Sequence, residues 1–162
     1  MTSCRTSAVL ALLLAVSGCA VSGAATPVTL ASRLSGFIWP LPVEHAGSVT
    51  SQYGPRWGRH HNGLDLDGES GDPVYATSAG TVSFSGSRRG YGETVVIDHG
   101  GGVTTLYGHL ATRYVRRGQR LARAQPVGAV GASGNATGPH LHFEVAWAGY
   151  PVDPLPLLPR LR

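Results

Sequence analysis

The segment His140-Leu141-His142-Phe143-Glu144-Val145 alternates polar and apolar side chains at every position. A period of two is the mark of a β-strand with one buried face; a helix would scatter these residues around its circumference. The alternation predicts a strand that sends Leu141, Phe143 and Val145 into a core and turns His140, His142 and Glu144 the other way. Same-face residues two apart lie roughly 7 Å from one another along a strand, so both histidines look into one site.

The rest of the chain is consistent with strands. Residues 80–84 and 94–98 carry β-branched side chains, and Gly100-Gly101-Gly102 is a turn leading into residues 103–107. These predict a hairpin with His109 delivered at its far end. Residues 127–130 and 141–145, with Arg120-Leu121, add further strands, and no long amphipathic helix is present. With 23 glycines and 11 prolines the chain suits many short strands joined by turns. At 162 residues and 42% hydrophobic content it fits one core. The expected fold is mainly β: one antiparallel β-sheet domain with its site in a groove and few or no helices.

Three segments supply side chains for chemistry: His61 and Asp65 in HHNGLDLDG, His109 in TLYGHL, and His140 and His142 in GPHLHFEV. Histidine is the commonest metal ligand, and zinc takes imidazole nitrogen and carboxylate oxygen readily. Three ligands plus water make a catalytic zinc, which leaves two histidines for proton and charge handling. His61 and Asp65 are four residues apart, roughly 13 Å if fully extended. Asn62-Gly63 is a strong turn dipeptide, and a bend there brings the two side chains together. The same dipeptide argues against a helical His-Asp pair. His60 would pair with Leu64 at this spacing, so the register favours His61 as the ligand.

These motifs resemble the LytM/lysostaphin-type zinc endopeptidases of peptidoglycan. The resemblance rests on His61-Asn62-Gly63-Leu64-Asp65, Tyr107-Gly108-His109-Leu110 and Thr137-Gly138-Pro139-His140-Leu141-His142-Phe143-Glu144, in that order. Trp39-Pro40, Ser51-Gln52-Tyr53-Gly54-Pro55-Arg56 and Gly71-Asp72-Pro73-Val74-Tyr75-Ala76 match the family's framework. One departure lies at Ala124-Gln125-Pro126, where a glycine often precedes the glutamine; it affects a turn rather than the site.

The resemblance implies one Zn²⁺ per chain, held by His61, Asp65 and His142, with His109 and His140 as the catalytic pair. It also implies hydrolysis of peptide cross-links in bacterial peptidoglycan, either D-alanyl links to a diamino acid or glycine-rich bridges. Zinc with such ligands would lower the pKa of its water and polarise the scissile carbonyl. His140, beside ligand His142, is expected to help activate the water, and His109 to hydrogen-bond the developing oxyanion; the division between them stays open. Some relatives have lost these residues and act as activators or scaffolds. The alternative is therefore a non-catalytic wall-binding module that activates a cell-wall amidase, although this chain keeps all five.

The N-terminus predicts export. Residues 1–20 carry one charge, Arg5, followed by the apolar run 8–16, which is too short to span a bilayer and suits a secretory signal. Val16-Ser17-Gly18-Cys19 resembles a bacterial lipobox, which would make Cys19 the lipidated first residue of the mature protein. Ordinary cleavage after the small residues 23–25 is the alternative. Cys4 would leave with the signal, so no disulfide is expected. The expected organisation is a signal at 1–19, a linker at 20–36, the peptidase domain at 37–155 and a tail at 156–162. A monomer at the cell envelope follows, facing the wall and held to the membrane through the lipid.

Other features have plainer readings. The 13 basic residues are all arginine, and the net charge of +4 suits an anionic envelope surface without singling out nucleic acid, which is not an expected partner. Arginines 113, 116, 117, 120 and 123 suit a solvated face. His99 suits a turn, His45 a solvated position and His60 the groove rim or an exposed neighbour. Tyr53, Trp57 and Tyr91 are candidate groove walls, and Glu144 is either a partner of a ligand histidine or half of an arginine ion pair.

Overall fold

The computed structural model describes residues 36–160 except Trp57. The expected signal and lipobox with Cys19, the linker up to residue 35 and residues 161–162 lie outside the described residues, as does the candidate wall residue Trp57.

The described residues form twelve strands in order: β1 (Val49–Ser51), β2 (Gly54–Arg56), β3 (Arg59–His61), β4 (Leu64–Asp67), β5 (Pro73–Tyr75), β6 (Gly80–Arg88), β7 (Gly92–Asp98), β8 (Val103–Arg113), β9 (Arg120–Leu121), β10 (Pro126–Val130), β11 (His140–Trp147) and β12 (Tyr150–Val152). Ten form one sheet, ordered β1-β4-β11-β8-β7-β6-β9, with β12 on β11 and β10 linking β8 to β5; β2 and β3 form a separate hairpin. Every pairing is antiparallel. The one helical element among the described residues is a 3₁₀ turn at Leu155–Leu157. The molecule is thus the mainly β, antiparallel domain that the sequence predicts.

β11 shows why. Leu141, Phe143 and Val145 are fully buried, while His140, His142 and Glu144 face a groove on the other side. The Phe143 ring packs at 5.5 Å from Tyr107 on neighbouring β8, and truncating a buried Phe to Ala typically costs about 3–5 kcal/mol. Leu64 and Leu66 of β4 enter the same core, which leaves Asp65 between them on the groove side. Tyr107 is buried with its hydroxyl satisfied, 3.0 Å from the Thr77 amide and 3.1 Å from Thr105 Oγ1.

Gly100, Gly101 and Gly102 all have positive φ (79°, 60° and 81°), a run that glycine alone adopts cheaply, and they close the β7–β8 hairpin as expected. The strands run further than the β-branched residues suggest. β6 continues to Arg88, and β8 continues to Arg113 because it changes partner, from β11 up to Gly108 to β10 from Leu110 onward. His109 therefore lies within β8, at this switch, and not at the end of the hairpin. Beyond residue 155, Leu158 is buried in the core and Trp39 Nε1 donates to the Pro159 carbonyl at 2.9 Å.

Candidate metal centre

Three strands bring the site together. His61 ends β3, the chain bends at Asn62-Gly63, and β4 then carries Asp65; His142 lies opposite Asp65 as its register partner on β11. Gly63 is required there by close approach. A Cβ on it would lie 2.2 Å from the Phe143 carbonyl oxygen of β11.

The donor atoms converge. His142 Nδ1 is 2.8 Å from Asp65 Oδ1, His61 Nε2 is 3.1 Å from the same oxygen, and the two nitrogens are 3.2 Å apart. These separations are close to the roughly 3.3 Å between donors around a tetrahedral ion with bonds of about 2.0 Å, and the donor set of two imidazoles and one carboxylate is one that zinc favours. Neighbours aim each donor. His61 Nδ1 donates to the Gln52 carbonyl at 2.8 Å, which turns the Nε2 lone pair inward. His142 uses the opposite nitrogen: its Nε2 is 3.0 Å from Glu144 Oε1, which also accepts the Tyr91 hydroxyl at 2.8 Å. Glu144 is thus a partner of a candidate ligand histidine. Arg56 Nη2 lies 3.5 Å from Asp65 Oδ2, the carboxylate oxygen turned away from the histidines.

Electrostatics favour a cation here. Burial alone would raise the Asp65 pKa, but the adjoining imidazoles of His142 and His61, in their protonated forms, outweigh it and hold the carboxyl far below the usual range. For His142, burial pushes the pKa down, and the bonds to Asp65 and Glu144 more than reverse this, leaving it above its ordinary value. The carboxylates that strengthen proton binding at His142 equally favour a metal ion at Nδ1.

The remaining two histidines face the same point from another side. His109 Nδ1 donates to the Ser133 carbonyl at 2.8 Å and His140 Nδ1 to the Gly138 carbonyl at 2.9 Å. In both neutral rings the Nε2 lone pair is then directed away from the backbone. The rings lie 4.7 Å apart between centroids, and His140 Nε2 is 3.8 Å from Asp65 Oδ1. Burial above all, with His140 and His142 nearby, lowers the His109 pKa below the ordinary histidine value. His109 also has φ of 59°, a conformation that costs a non-glycine residue about 1–3 kcal/mol. All five predicted residues line one cleft of about 860 Å³. A smaller cavity of about 270 Å³ adjoins it over Leu106 and Ala146, with Tyr91 and Glu144 shared between them.

Of the secondary candidates, Tyr91 lines the cleft, and exposed His60 does so too, its ring edge-on to Tyr53. Tyr53 itself donates to the Pro151 carbonyl at 3.2 Å. His45 is 3.2 Å from Asp72 Oδ2. His99 lies outside the cleft, between the Ala79 carbonyl and Thr105 Oγ1, each 2.8 Å away. Arg113 pairs with Glu93. Sequence reasoning missed Gln52, Ser133 and Gly138 as supports because each meets its histidine through a backbone carbonyl, which no side-chain pattern encodes.

Residues 59–154 match the model of Peptidase family M23, well over half of the chain. This chain belongs to that family. Three M23-type relatives illustrate its range. A lipoprotein NlpD/LppB homolog of Pseudomonas aeruginosa is 39% identical over 86% of this chain and 45% of its own length. The peptidoglycan DD-endopeptidase ShyA of Vibrio cholerae is 36% identical over 69% of this chain and 28% of its own. The murein hydrolase activator NlpD of Salmonella typhimurium is 31% identical over 84% of this chain and 35% of its own. The chain spans less than half the length of each. Among solved structures, a zinc-containing peptidase from Vibrio cholerae superposes with a TM-score of 0.69 at 36% identity, covering 73% of this chain and 39% of that one. M23 relatives thus include both peptidases and activators.

Proposed function

We propose that this domain is a zinc metalloendopeptidase that hydrolyses peptide cross-links in bacterial peptidoglycan. The observation that carries the reading is the complete constellation: His61, Asp65 and His142 with converging donors, and His109 and His140 with free Nε2 atoms at the same cleft. His61, Asp65 and His142 would hold the ion. When bound, zinc supplies Lewis acidity, acidifying water and polarising the scissile carbonyl.

The protein's own residues do the rest. The His109–His140 pair takes the proton lost by the attacking water and returns one to the leaving amine. Whichever ring is protonated donates from Nε2 toward the oxyanion, because Nδ1 of each is engaged with a carbonyl. Tyr91 and Glu144 hold His142 in place, and the adjoining cavity gives the substrate peptide room beyond the scissile bond. The relative that is a lipoprotein supports an envelope position facing the wall. In this reading Cys19 carries the lipid and the domain acts as a monomer.

A second reading, a module that activates a cell-wall amidase, has the activator relative behind it. Incubating residues 20–162 with peptidoglycan sacculi, with and without chelator, separates the two. The peptidase reading expects chelator-sensitive release of cleaved peptides by mass spectrometry; zinc-loaded protein that releases none favours the activator.

A further inference from the structure

We propose that Ser133 is a positioning residue that sets both the backbone conformation and the ring tautomer of His109. The inference rests on the reading of His109 as a catalytic histidine, and the geometry behind it is local.

β7 and β8 pair as Val95 with Tyr107 and then as Glu93 with Leu110. β7 advances two residues between these pairs and β8 three, so β8 carries one extra residue. Strict alternation from Tyr107 would send His109 into the core. The bulge, with its positive φ, instead puts His109 in the cleft beside Gly108, the register partner of His142, and returns Leu110 to the core. His109 belongs to no ladder pair; its amide donates to the Tyr91 carbonyl at 2.7 Å.

Ser133 reaches across the bulge. Its hydroxyl accepts the Glu93 amide at 2.9 Å and donates to the Leu110 carbonyl at 2.7 Å, and so bridges the two residues that pair just beyond the extra one. Its own carbonyl accepts the His109 Nδ1–H at 2.8 Å. One residue therefore ties the bulge together through its side chain and orients the imidazole through its backbone. The fit around it is close. A Cβ on Gly92 would lie 2.3 Å from Ser133 Oγ, and one on Gly134 would lie 2.4 Å from the Gly92 amide nitrogen. The strap is thus built against the bulge without intervening space.

The test compares Ser133→Ala and Ser133→Thr with the native domain, all zinc-loaded, using turnover, zinc content and imidazole ¹⁵N NMR of His109. Ser133→Ala should lower kcat about 10–100-fold, the usual cost of losing a residue that orients a metal-site group. KM and zinc stoichiometry should change little, and the His109 signals should lose the single Nδ1-protonated tautomer of the native protein. Ser133→Thr, which keeps the hydroxyl, should restore both. Native turnover and an unchanged His109 tautomer in Ser133→Ala would overturn the proposal. So would an equal loss in Ser133→Thr, or loss of zinc along with activity, since either would mean a general structural requirement. The NMR comparison decides the matter even if the native domain cleaves nothing, which separates failure of this inference from failure of the peptidase reading.

Discussion

Asp65 and His142 are register partners on adjacent strands, and the carboxylate Oδ1 of one lies 2.8 Å from Nδ1 of the other. Because the sheet ladder itself sets this contact, the two candidate ligands are anchored to the core beneath them: Leu64, Leu66, Leu141 and Phe143 alternate with them along the same two strands and are fully buried. His142→Ala removes one donor and leaves Glu144 without its imidazole partner. Metal analysis of the purified variant should find zinc lost together with activity.

His109→Ala should behave differently. The ring supplies none of the three converging donors, so zinc should remain bound while turnover falls about 10²–10⁴-fold, the usual contribution of a positioned acid-base group. Zinc stoichiometry measured beside kcat checks this. Loss of metal from His109→Ala would place that ring among the ligands.

Much of this was legible in the sequence, and the parts that were not share a cause. The alternation in β11 is a local pattern, so its buried and groove faces could be read directly. The His61–Asp65 bend was legible from Asn62-Gly63, but the physical need for Gly63 was not, because the clash that excludes a side chain there comes from Phe143, eighty residues away. His109 misled the reading of strand ends. Its place depends on a bulge and a change of strand partner, which arise from pairing between distant segments and leave no periodic trace. Ala124 shows the converse: it has φ of 64° at the turn where the family often carries glycine, so the departure seen in the sequence marks a real backbone constraint.

Gly63→Ala should destabilise the domain by about 1–3 kcal/mol, the range for forced overpacking. The added methyl would press on the Phe143 carbonyl and part β4 from β11, which also misaligns Asp65 and His142. Chemical denaturation should show the lower midpoint, and zinc titration a weaker site.

His99 gives a pH dependence away from the metal. Burial, offset in part by the Ala79 carbonyl and Asp98, lowers its pKa below 6.5. The neutral ring donates from Nδ1 to Ala79 and accepts the Thr105 hydroxyl at Nε2. Between the folded pKa and 6.5 the unfolded chain binds more protons than the native one, so this residue's contribution to stability rises with pH and is lost as pH falls through that window. Tm measured between about pH 5 and 7 should therefore rise less steeply in His99→Gln than in the native protein. Equal slopes would show that His99 takes up a proton as readily folded as unfolded.

The most direct test of the account is turnover of a purified cross-linked muropeptide dimer by the zinc-loaded domain, with Asp65→Ala measured in parallel. The native domain should cleave a peptide bond in the cross-link and the variant none, and the variant should also lose its zinc. An intact dimer with native, zinc-loaded domain, or equal cleavage by Asp65→Ala, would contradict it.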